Sequence, residues 1–143
     1  MSTIKQLVET DEIVDAYDVM KELRTDLSQE EYLSGYQMMK EEGYMLFALY
    51  DSSEDLCALA GVAIRYNFYN KKHLFVLDLV TTPQKRSHGY GEELMGFLET
   101  YATDKDCDHI ALESGIHRSR AHDFYENTIG LDKFCISFRK SLK

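Results

Sequence analysis

Residues 79–91 constrain the fold of this chain more than any other stretch. They read Leu-Val-Thr-Thr-Pro-Gln-Lys-Arg-Ser-His-Gly-Tyr-Gly. The almost continuously apolar residues 73–81 come before the chain's one proline, Pro83, and are typical of a strand buried on both faces. A basic loop with two glycines then leads into residues 88–102, where apolar side chains recur at helical spacing. The stretch predicts a strand, a sharp break and a helix N-terminus that can hold an anion.

The rest of the chain alternates between helical and strand periodicities. Helical spacing marks residues 10–24, a segment that begins after the capping box at residues 28–31 and stops at Gly43, and a last helix that Gly130 terminates. Parallel pairing of the strands on either side of the third helix would form a right-handed crossover. Strands are predicted over residues 3–8, 44–50, 56–69, 73–81, 107–112 and 131–138.

Length and charge limit the classes of function. A chain of 143 residues can bury about 68% of its unfolded surface, and we expect residues 1–143 to form a single domain. Its 16 Lys and Arg against 25 Asp and Glu give a net charge of -9, which disfavours nucleic acid and anionic membranes as partners. No apolar N-terminal run or span of about 20 apolar residues occurs, so we expect a cytoplasmic protein.

The loop at residues 86–91 has the chemistry of a phosphate site. Lys85 and Arg86 are basic, and no Asp or Glu intervenes between Asp78 and Glu92. The spacing excludes a dinucleotide fingerprint, which would need a third glycine where Leu94 stands, and a P-loop. An ordinary strand-to-helix turn with solvated basic side chains is the alternative, and the loop by itself does not separate the two.

Two motifs in this order resemble one enzyme family. Residues 86–91, Arg-Ser-His-Gly-Tyr-Gly, match the Arg/Gln-x-x-Gly-x-Gly/Ala motif of the GNAT superfamily of N-acetyltransferases, after a buried strand as in that family. Residues 121–126, Ala-His-Asp-Phe-Tyr-Glu, followed by Gly130, are similar to its Ala-x-x-Phe-Tyr helix. The resemblance implies a mixed α/β fold, with a twisted central sheet of about six to seven strands flanked by four helices.

The resemblance also implies acetyl-CoA as cosubstrate and a set of residues that bind it. Backbone N–H groups of the loop would hold the pyrophosphate, and the strand before it would hydrogen-bond the pantetheine arm. Arg118 stands where many relatives have an asparagine that touches the pantetheine, so its role is open. The predicted cofactor-binding residues are Leu79, Val80, Thr81, Arg86, Ser87, His88, Gly89, Tyr90, Gly91 and Arg118.

Three residues are candidates for the proton transfers of the reaction. Tyr125 stands where the family places the phenol that protonates the leaving thiolate, although a core tyrosine is the alternative. The glutamate that serves as base in the histone-type branch is replaced here by Phe75. Asp78 and Glu113, near the ends of the two strands that flank the cleft, are the remaining candidates, and either could instead be structural. The five histidines show no paired ligand spacing, so we expect no metal site.

The predicted function is direct transfer of an acetyl group from acetyl-CoA to a small primary amine or polyamine. In this family the first two helices and the loop around residues 26–31 wall the acceptor site, where Tyr32, Tyr36, Tyr66 and Tyr69 could contribute. Residues 118–122 and 138–142 weakly resemble the aminoalkylphosphonate acetyltransferase branch. The alternatives are an inactive CoA-binding regulatory module and a protein or peptide N-terminal acetyltransferase, and a homodimer is one oligomeric state that the family allows.

Overall fold

The computed structural model describes residues 1–143 and divides them into two compact units, Met1–Leu112 and Glu113–Lys143. The first unit contains the whole sheet and most of the helices. Its strands are β1 (Thr3–Leu7), β2 (Met45–Tyr50), β3 (Leu56–Asn67), β4 (Lys71–Thr81) and β5 (His109–Leu112). Its helices are α1 (Thr10–Asp15), α2 (Tyr17–Leu23), α3 (Gln29–Glu41) and α4 (Tyr90–Asp104), with a short 3-10 turn at Pro83–Lys85.

The five strands form one mixed sheet in the order β1-β2-β3-β4-β5. Neighbouring strands are antiparallel except β4 and β5, which pair in parallel from His73 opposite His109 to Val76 opposite Leu112. Because α4 connects β4 to β5, the predicted parallel strand–helix–strand connection is confirmed. The mixed α/β fold class is also confirmed.

Helices cover both faces of the sheet, which explains why β2 and β3 are apolar almost throughout. Leu46 packs in a cluster with residues of α1, α2 and α3. Its neighbour Phe47 points to the opposite face, where its ring lies 5.3 Å from Phe97 and 5.2 Å from Tyr101 of α4. Successive side chains of a strand alternate between faces, so a strand enclosed by two helical layers loses its polar positions.

A bulge interrupts β4 in its middle. The register between β3 and β4 shifts after Gly61, which pairs with Asp78, whereas Val62 pairs with Val76, so Leu77 is the additional residue. Pairing with β5 also stops at Val76. From Leu77 to Thr81, β4 therefore has β3 on one side and no strand on the other.

The first predicted helix, over residues 10–24, is wrong in one respect. It consists of two helices, α1 and α2, which are separated at Ala16, where ψ is -8°. The α3 prediction is confirmed: Ser28 and Glu31 form the capping box, and Gly43 adopts the φ of +96° that favours glycine.

The second unit contains α5 (Ser119–Asp123), which continues into a π-helical turn at Phe124–Ile129. Gly130 ends this turn with a φ of +84°, as predicted. The strand predicted over residues 131–138 is wrong, since those residues form no strand and the sheet has five strands rather than six to seven. The helices number five rather than four because the first is divided. No helix combines the length and apolar character required to cross a membrane.

Candidate active site

The edge of β4 exposes peptide groups where its two neighbours separate. Leu79, Val80 and Thr81 pair with Ala60, Leu59 and Ala58 of β3, and no strand lies on their other side. An unpaired strand edge offers N–H and C=O groups to an extended ligand that contains amides. The structure thus places three of the predicted cofactor-binding residues on a free edge.

The loop after β4 turns its backbone toward the start of α4. Ser87 and Gly89 have φ values of +67° and +79°, and Gly89 is the N-cap of α4. The first hydrogen bond of the helix joins the Glu93 N–H to the Gly89 carbonyl at 3.0 Å, so the N–H groups of residues 90–92 precede the helical ladder. No heavy atom lies within 4 Å of a Cβ built on Gly89, so the position requires glycine for its backbone angle.

The side chains of Arg86 and His88 support the loop. His88 places Nδ1 2.9 Å from the Arg86 carbonyl and 3.1 Å from the Lys85 carbonyl, and its ring stacks on Tyr90 at 5.7 Å. Arg86 donates from Nε to the Thr81 carbonyl at 3.3 Å and is otherwise exposed. Arg86 thus presents an exposed positive charge beside the loop.

Lys85 is held by the turn between β2 and β3. Its Nζ lies 2.8 Å from Asp51 Oδ2 and 3.4 Å from Asp55 Oδ2. In the sequence Lys85 contributes to the positive charge of the loop, and the two carboxylates lie at least 30 residues away from it. The ion pair therefore could not be read from the local pattern.

A cavity of about 600 Å³ opens beside the bulge of β4. It lies between the end of α2, the connection to α3, α3 itself and the middle of β4, in the region where the acceptor site was predicted. Tyr32 and Tyr36 line it, whereas Tyr66 and Tyr69 lie at the exposed hairpin between β3 and β4. Its other lining residues are Met20, Leu23, Arg24, Thr25, Asp26, Leu27, Glu31, Gly35, Met39, Tyr44, Leu77 and Asp78.

Asp78 lies at the inner wall of this cavity with both carboxylate oxygens bonded. Oδ1 accepts from Arg24 Nε at 3.0 Å and lies 2.9 Å from Arg24 Nη2, while Oδ2 accepts from the Tyr44 hydroxyl at 2.7 Å. Arg24 also donates to the Leu77 carbonyl at 2.8 Å. The bulge thus presents an oriented carboxylate whose neighbouring guanidinium balances its charge.

Gly61 allows the contact between Tyr44 and Asp78. A Cβ on Gly61 would lie 1.8 Å from the Tyr44 hydroxyl oxygen and 2.7 Å from Asp78 Oδ2. Burial, followed by the charge of Asp78, raises the pKa of Tyr44 well above its ordinary value. Tyr44 therefore stays protonated and acts as a hydrogen-bond donor to Asp78.

The remaining predicted site residues belong to the second unit. Glu113 and Arg118 are exposed, and Arg118 donates its backbone N–H to the Gly115 carbonyl at 3.0 Å just before α5. Tyr125 is half-buried in the π-helical turn, with its ring 5.5 Å from that of Phe124. The Ser114 hydroxyl, two residues after β5, is buried without a hydrogen-bond partner among the protein atoms.

Sequence reasoning missed Arg24, Tyr44 and Gly61. Each meets Asp78 only because α2, β2 and β3 converge on the bulge of β4, and no short motif links them. The unusual glycine inside an apolar strand was the one available signal, because such a glycine often marks a bulge or a close approach.

Comparison with known proteins identifies the family. The profile described as "Acetyltransferase (GNAT) family" matches residues 9–131. A protein of Bacillus subtilis (strain 168) named "Uncharacterized N-acetyltransferase YhdJ" is 38% identical over 141 residues, which cover 98% of this chain and 99% of that protein. The chain belongs to the GNAT family of acetyltransferases.

Solved structures share the fold at low sequence identity. A transcriptional regulator from Bacillus halodurans C-125 superimposes with a TM-score of 0.84 at 18% identity, over 99% of this chain and 100% of that one. The aminoglycoside N-acetyltransferase AAC(6')-Iy in complex with CoA gives 0.83 at 15% identity, over 100% and 96% of the two chains. An acetyltransferase from Trypanosoma brucei gives 0.78 at 20% identity, over 99% and 100%. These likenesses establish the fold.

Family membership makes the chain an N-acetyltransferase with acetyl-CoA as its acetyl donor. The structure fits such a donor, because a loop that leads into a helix N-terminus follows directly on a free strand edge. Gly89, with its left-handed φ, is the N-cap of α4, and the N–H groups of residues 90–92 precede the helical ladder, as in helix N-termini that bind anions. Acetyl-CoA contains a pantetheine arm with amides and, next to it, a pyrophosphate. A strand edge followed by such a loop matches these two parts in order.

Proposed function

We propose that the protein transfers an acetyl group directly from acetyl-CoA to a small primary amine or polyamine that binds in the cavity beside β4. One observation carries this proposal: the cavity ends at Asp78 and Leu77, the residues at which β4 loses its pairing with β5. An acceptor in the cavity would thus approach the strand edge proposed for the donor.

The proposed donor site runs from β4 into the loop. Leu79, Val80 and Thr81 would pair with the pantetheine arm, and the backbone of residues 86–91 would hold the pyrophosphate. When bound, acetyl-CoA supplies a thioester as activated acyl group. The chain's own contribution is to orient that group along β4, where backbone N–H groups can stabilise a developing oxyanion.

The charge of the cavity favours a cationic acceptor. Three carboxylates, those of Asp26, Glu31 and Asp78, line it against the single guanidinium of Arg24. The remaining wall is largely apolar and aromatic, and aromatic faces attract ammonium groups. AAC(6')-Iy, which has the same fold, is an aminoglycoside N-acetyltransferase, and aminoglycosides are amines.

Proton transfer requires a base for the amine and an acid for the thiolate. An alkyl ammonium group has a pKa of about 10.4, so at neutral pH it must lose a proton before attack. We assign this role to Asp78, which faces the cavity, with Glu113 as the other candidate; Asp78→Asn and Glu113→Gln would distinguish them. Tyr125 would protonate the leaving thiolate, whose thiol pKa near 8.5 lies below the pKa of about 10 of a phenol.

The environment of two cysteines supports direct transfer without an acyl-enzyme. Burial raises the pKa of Cys57 and that of Cys107 above their ordinary value. A thiol that stays protonated is a poor nucleophile. The amine itself is therefore the proposed attacking group.

An amine panel tests the proposal. We expect release of free thiol from acetyl-CoA in the presence of small amines or polyamines, detected with a thiol reagent. Tight CoA binding without thiol release for any amine would instead favour the regulatory module. Activity restricted to peptides would favour the N-terminal acetyltransferase.

Tyr125→Phe tests the proposed acid. The phenylalanine retains the ring that packs against Phe124 and removes the hydroxyl, so kcat with the best amine should fall about 10²-fold, as is typical when an acid catalyst is lost, with little change in KM. Tyr66→Phe, which removes a hydroxyl from the exposed hairpin away from the cavity, is the matched control. Full turnover of Tyr125→Phe would exclude Tyr125 as the acid.

A further inference from the structure

The turn between β2 and β3 contains a carboxylate that is saturated with hydrogen bonds. Asp51 accepts at Oδ1 from the backbone N–H groups of Ser53 and Asp55, at 2.9 Å and 3.0 Å, and at Oδ2 from Lys85 Nζ at 2.8 Å. Its side chain is only 11% exposed. A carboxylate so largely withdrawn from water needs these partners, and they hold its pKa low, at about 2.

Lys85 joins this turn to the loop before α4. It closes the 3-10 turn at Pro83–Lys85 and directly precedes Arg86, the first residue of the motif. A backbone hydrogen bond from the Thr82 N–H to the Cys57 carbonyl, at 2.9 Å, fastens the same region to the beginning of β3. The loop is thus attached to the β2–β3 hairpin by a side chain and by the backbone.

The conformation of the loop depends on the position of Lys85. Ser87 has a left-handed φ of +67°, which is unfavourable for a residue other than glycine and persists only when neighbouring contacts impose it. The His88 ring contributes such a contact at the Lys85 carbonyl. Lys85 is therefore fixed at its Nζ by Asp51 while its carbonyl fixes His88.

We infer that Asp51 is a positioning residue for acetyl-CoA: through Lys85 it holds residues 86–91 in the conformation that receives the pyrophosphate. Lys85 is accordingly a part of this support and not a phosphate ligand. The inference rests on the proposed placement of CoA over the loop. It assigns a function in donor binding to a turn that lies more than 30 residues before the motif.

Charge alone predicts that a substitution of Asp51 strengthens CoA binding, whereas the inference predicts that it weakens CoA binding. The two explanations can therefore be distinguished by experiment. Asp51→Asn removes a negative charge close to an anionic ligand, so on charge alone CoA should bind more tightly. If Lys85 were a phosphate ligand, its release from Asp51 would also strengthen binding. Loss of support instead weakens binding, because the dissociation constant rises as the binding-competent fraction of the loop falls.

The experiment measures CoA binding to the full-length protein by titration calorimetry. We expect the dissociation constant of Asp51→Asn to rise about fivefold, as it would if a fifth of the molecules kept the competent loop. The asparagine retains an oxygen for the two N–H groups of the turn, and thermal unfolding monitors the fold. Asp55→Asn, with the same charge change in the same turn on a carboxylate that is 61% exposed, should bind CoA as the wild type does or more tightly.

Variants of Lys85 complete the test. Lys85→Met should weaken binding about as much as Asp51→Asn, and the double variant no more than either, because both act through one contact. Lys85→Arg retains the ion pair and should restore most of the affinity. Unchanged or tighter binding by Asp51→Asn would overturn the inference.

A variant of the loop separates this inference from the proposed site. Gly89→Val forces a β-branched residue into a left-handed φ and should weaken CoA binding wherever the loop holds the ligand. If Gly89→Val binds CoA normally, the proposed placement fails and the inference fails with it. If Gly89→Val is impaired and Asp51→Asn is not, only the inference fails.

Discussion

Gly61 is the residue on which the orientation of Asp78 depends. A methyl group there would overlap the Tyr44 hydroxyl, at 1.8 Å, and crowd the Asp78 carboxylate. We predict that Gly61→Ala displaces Tyr44 from Asp78, destabilises the protein by about 1–3 kcal/mol, as overpacking in a core does, and lowers turnover. Urea unfolding and the amine assay measure the two effects.

The control for this substitution is a second glycine without such neighbours. Gly96 lies inside α4, and a Cβ there meets no atom within 4 Å. Gly96→Ala should therefore stabilise the protein by about 0.5–1 kcal/mol through helix propensity. A Gly61→Ala protein that is as stable and active as the wild type would show that the contact between Tyr44 and Asp78 is dispensable.

The sequence allowed Asp78 to be selected but not its role to be defined. The residues around Asp78 indicate the end of a buried strand, so the local sequence was enough to predict that Asp78 lies beside a cleft. Its partners Arg24 and Tyr44 lie 54 and 34 residues earlier, and only the assembled sheet and helices bring them together. Side chains that converge from several elements leave no spacing that a single sequence can reveal.

The N-terminal cap defines where α3 begins. The Ser28 hydroxyl accepts from the Glu31 N–H at 3.1 Å, and Glu31 Oε1 accepts from the Ser28 N–H at 3.1 Å. Because α3 supplies Tyr32 and Tyr36 to the cavity, we predict that Ser28→Ala costs about 1 kcal/mol of stability, the usual value of a cap, and raises KM for the amine.

Ser34→Ala on the same helix is the matched control. Ser34 is exposed, and its hydroxyl makes only a long contact of 3.4 Å with the Glu31 carbonyl. Because alanine has the higher helix propensity, this substitution should be neutral or slightly stabilising. Equal losses of stability in the two variants would mean that the cap contributes nothing specific.

Elements marked by local chemistry were predicted well, and those that need a partner were not. The cap of α3 and the glycines at its end and after α5 lie within a few residues of the structure they determine. Residues 131–138 alternate correctly for a strand, yet Phe134, Ile136 and Phe138 are all exposed. An alternating segment that buries no apolar face gains nothing to offset the entropy of ordering, so alternation by itself does not specify a strand.

The net charge of -9 of the chain conceals local pairs of opposite charge. Glu12 pairs with Lys5, Asp78 with Arg24, and Asp51 with Lys85. Composition correctly described an acidic surface, but it gave no information on which carboxylates have partners. That distinction determines how stability responds to pH.

Carboxylates with lowered pKa values should make the protein sensitive to acid. The hydrogen bond from Lys85 lowers the pKa of Asp51 from 3.8 to about 2, that from Lys5 lowers the pKa of Glu12 below 4.5, and backbone and side-chain bonds of Ser28 lower that of Glu31. The unfolded chain then binds more protons than the folded one as pH falls. The stability from these groups is present above their unfolded pKa values and disappears between about pH 4.5 and pH 2.

Groups with raised pKa values determine the pH above which the stability of the protein falls. Desolvation raises the pKa of Tyr32 and of Tyr44 above 10.0, and the bond to Asp51 raises that of Lys85 above 10.5. Their contribution to stability is present below the pKa values of the unfolded chain and is lost as the pH rises through the pKa values of the folded protein.

We predict that the urea midpoint changes little between about pH 5 and pH 9 and falls on either side of this range. In Asp51→Asn the acid decline should be shallower, and the two proteins should approach each other as the pH falls to about 2, where about half of the Asp51 carboxyl groups are protonated. A midpoint that rises as the pH falls below 4 would contradict this account, because it would mean that the paired carboxylates oppose folding.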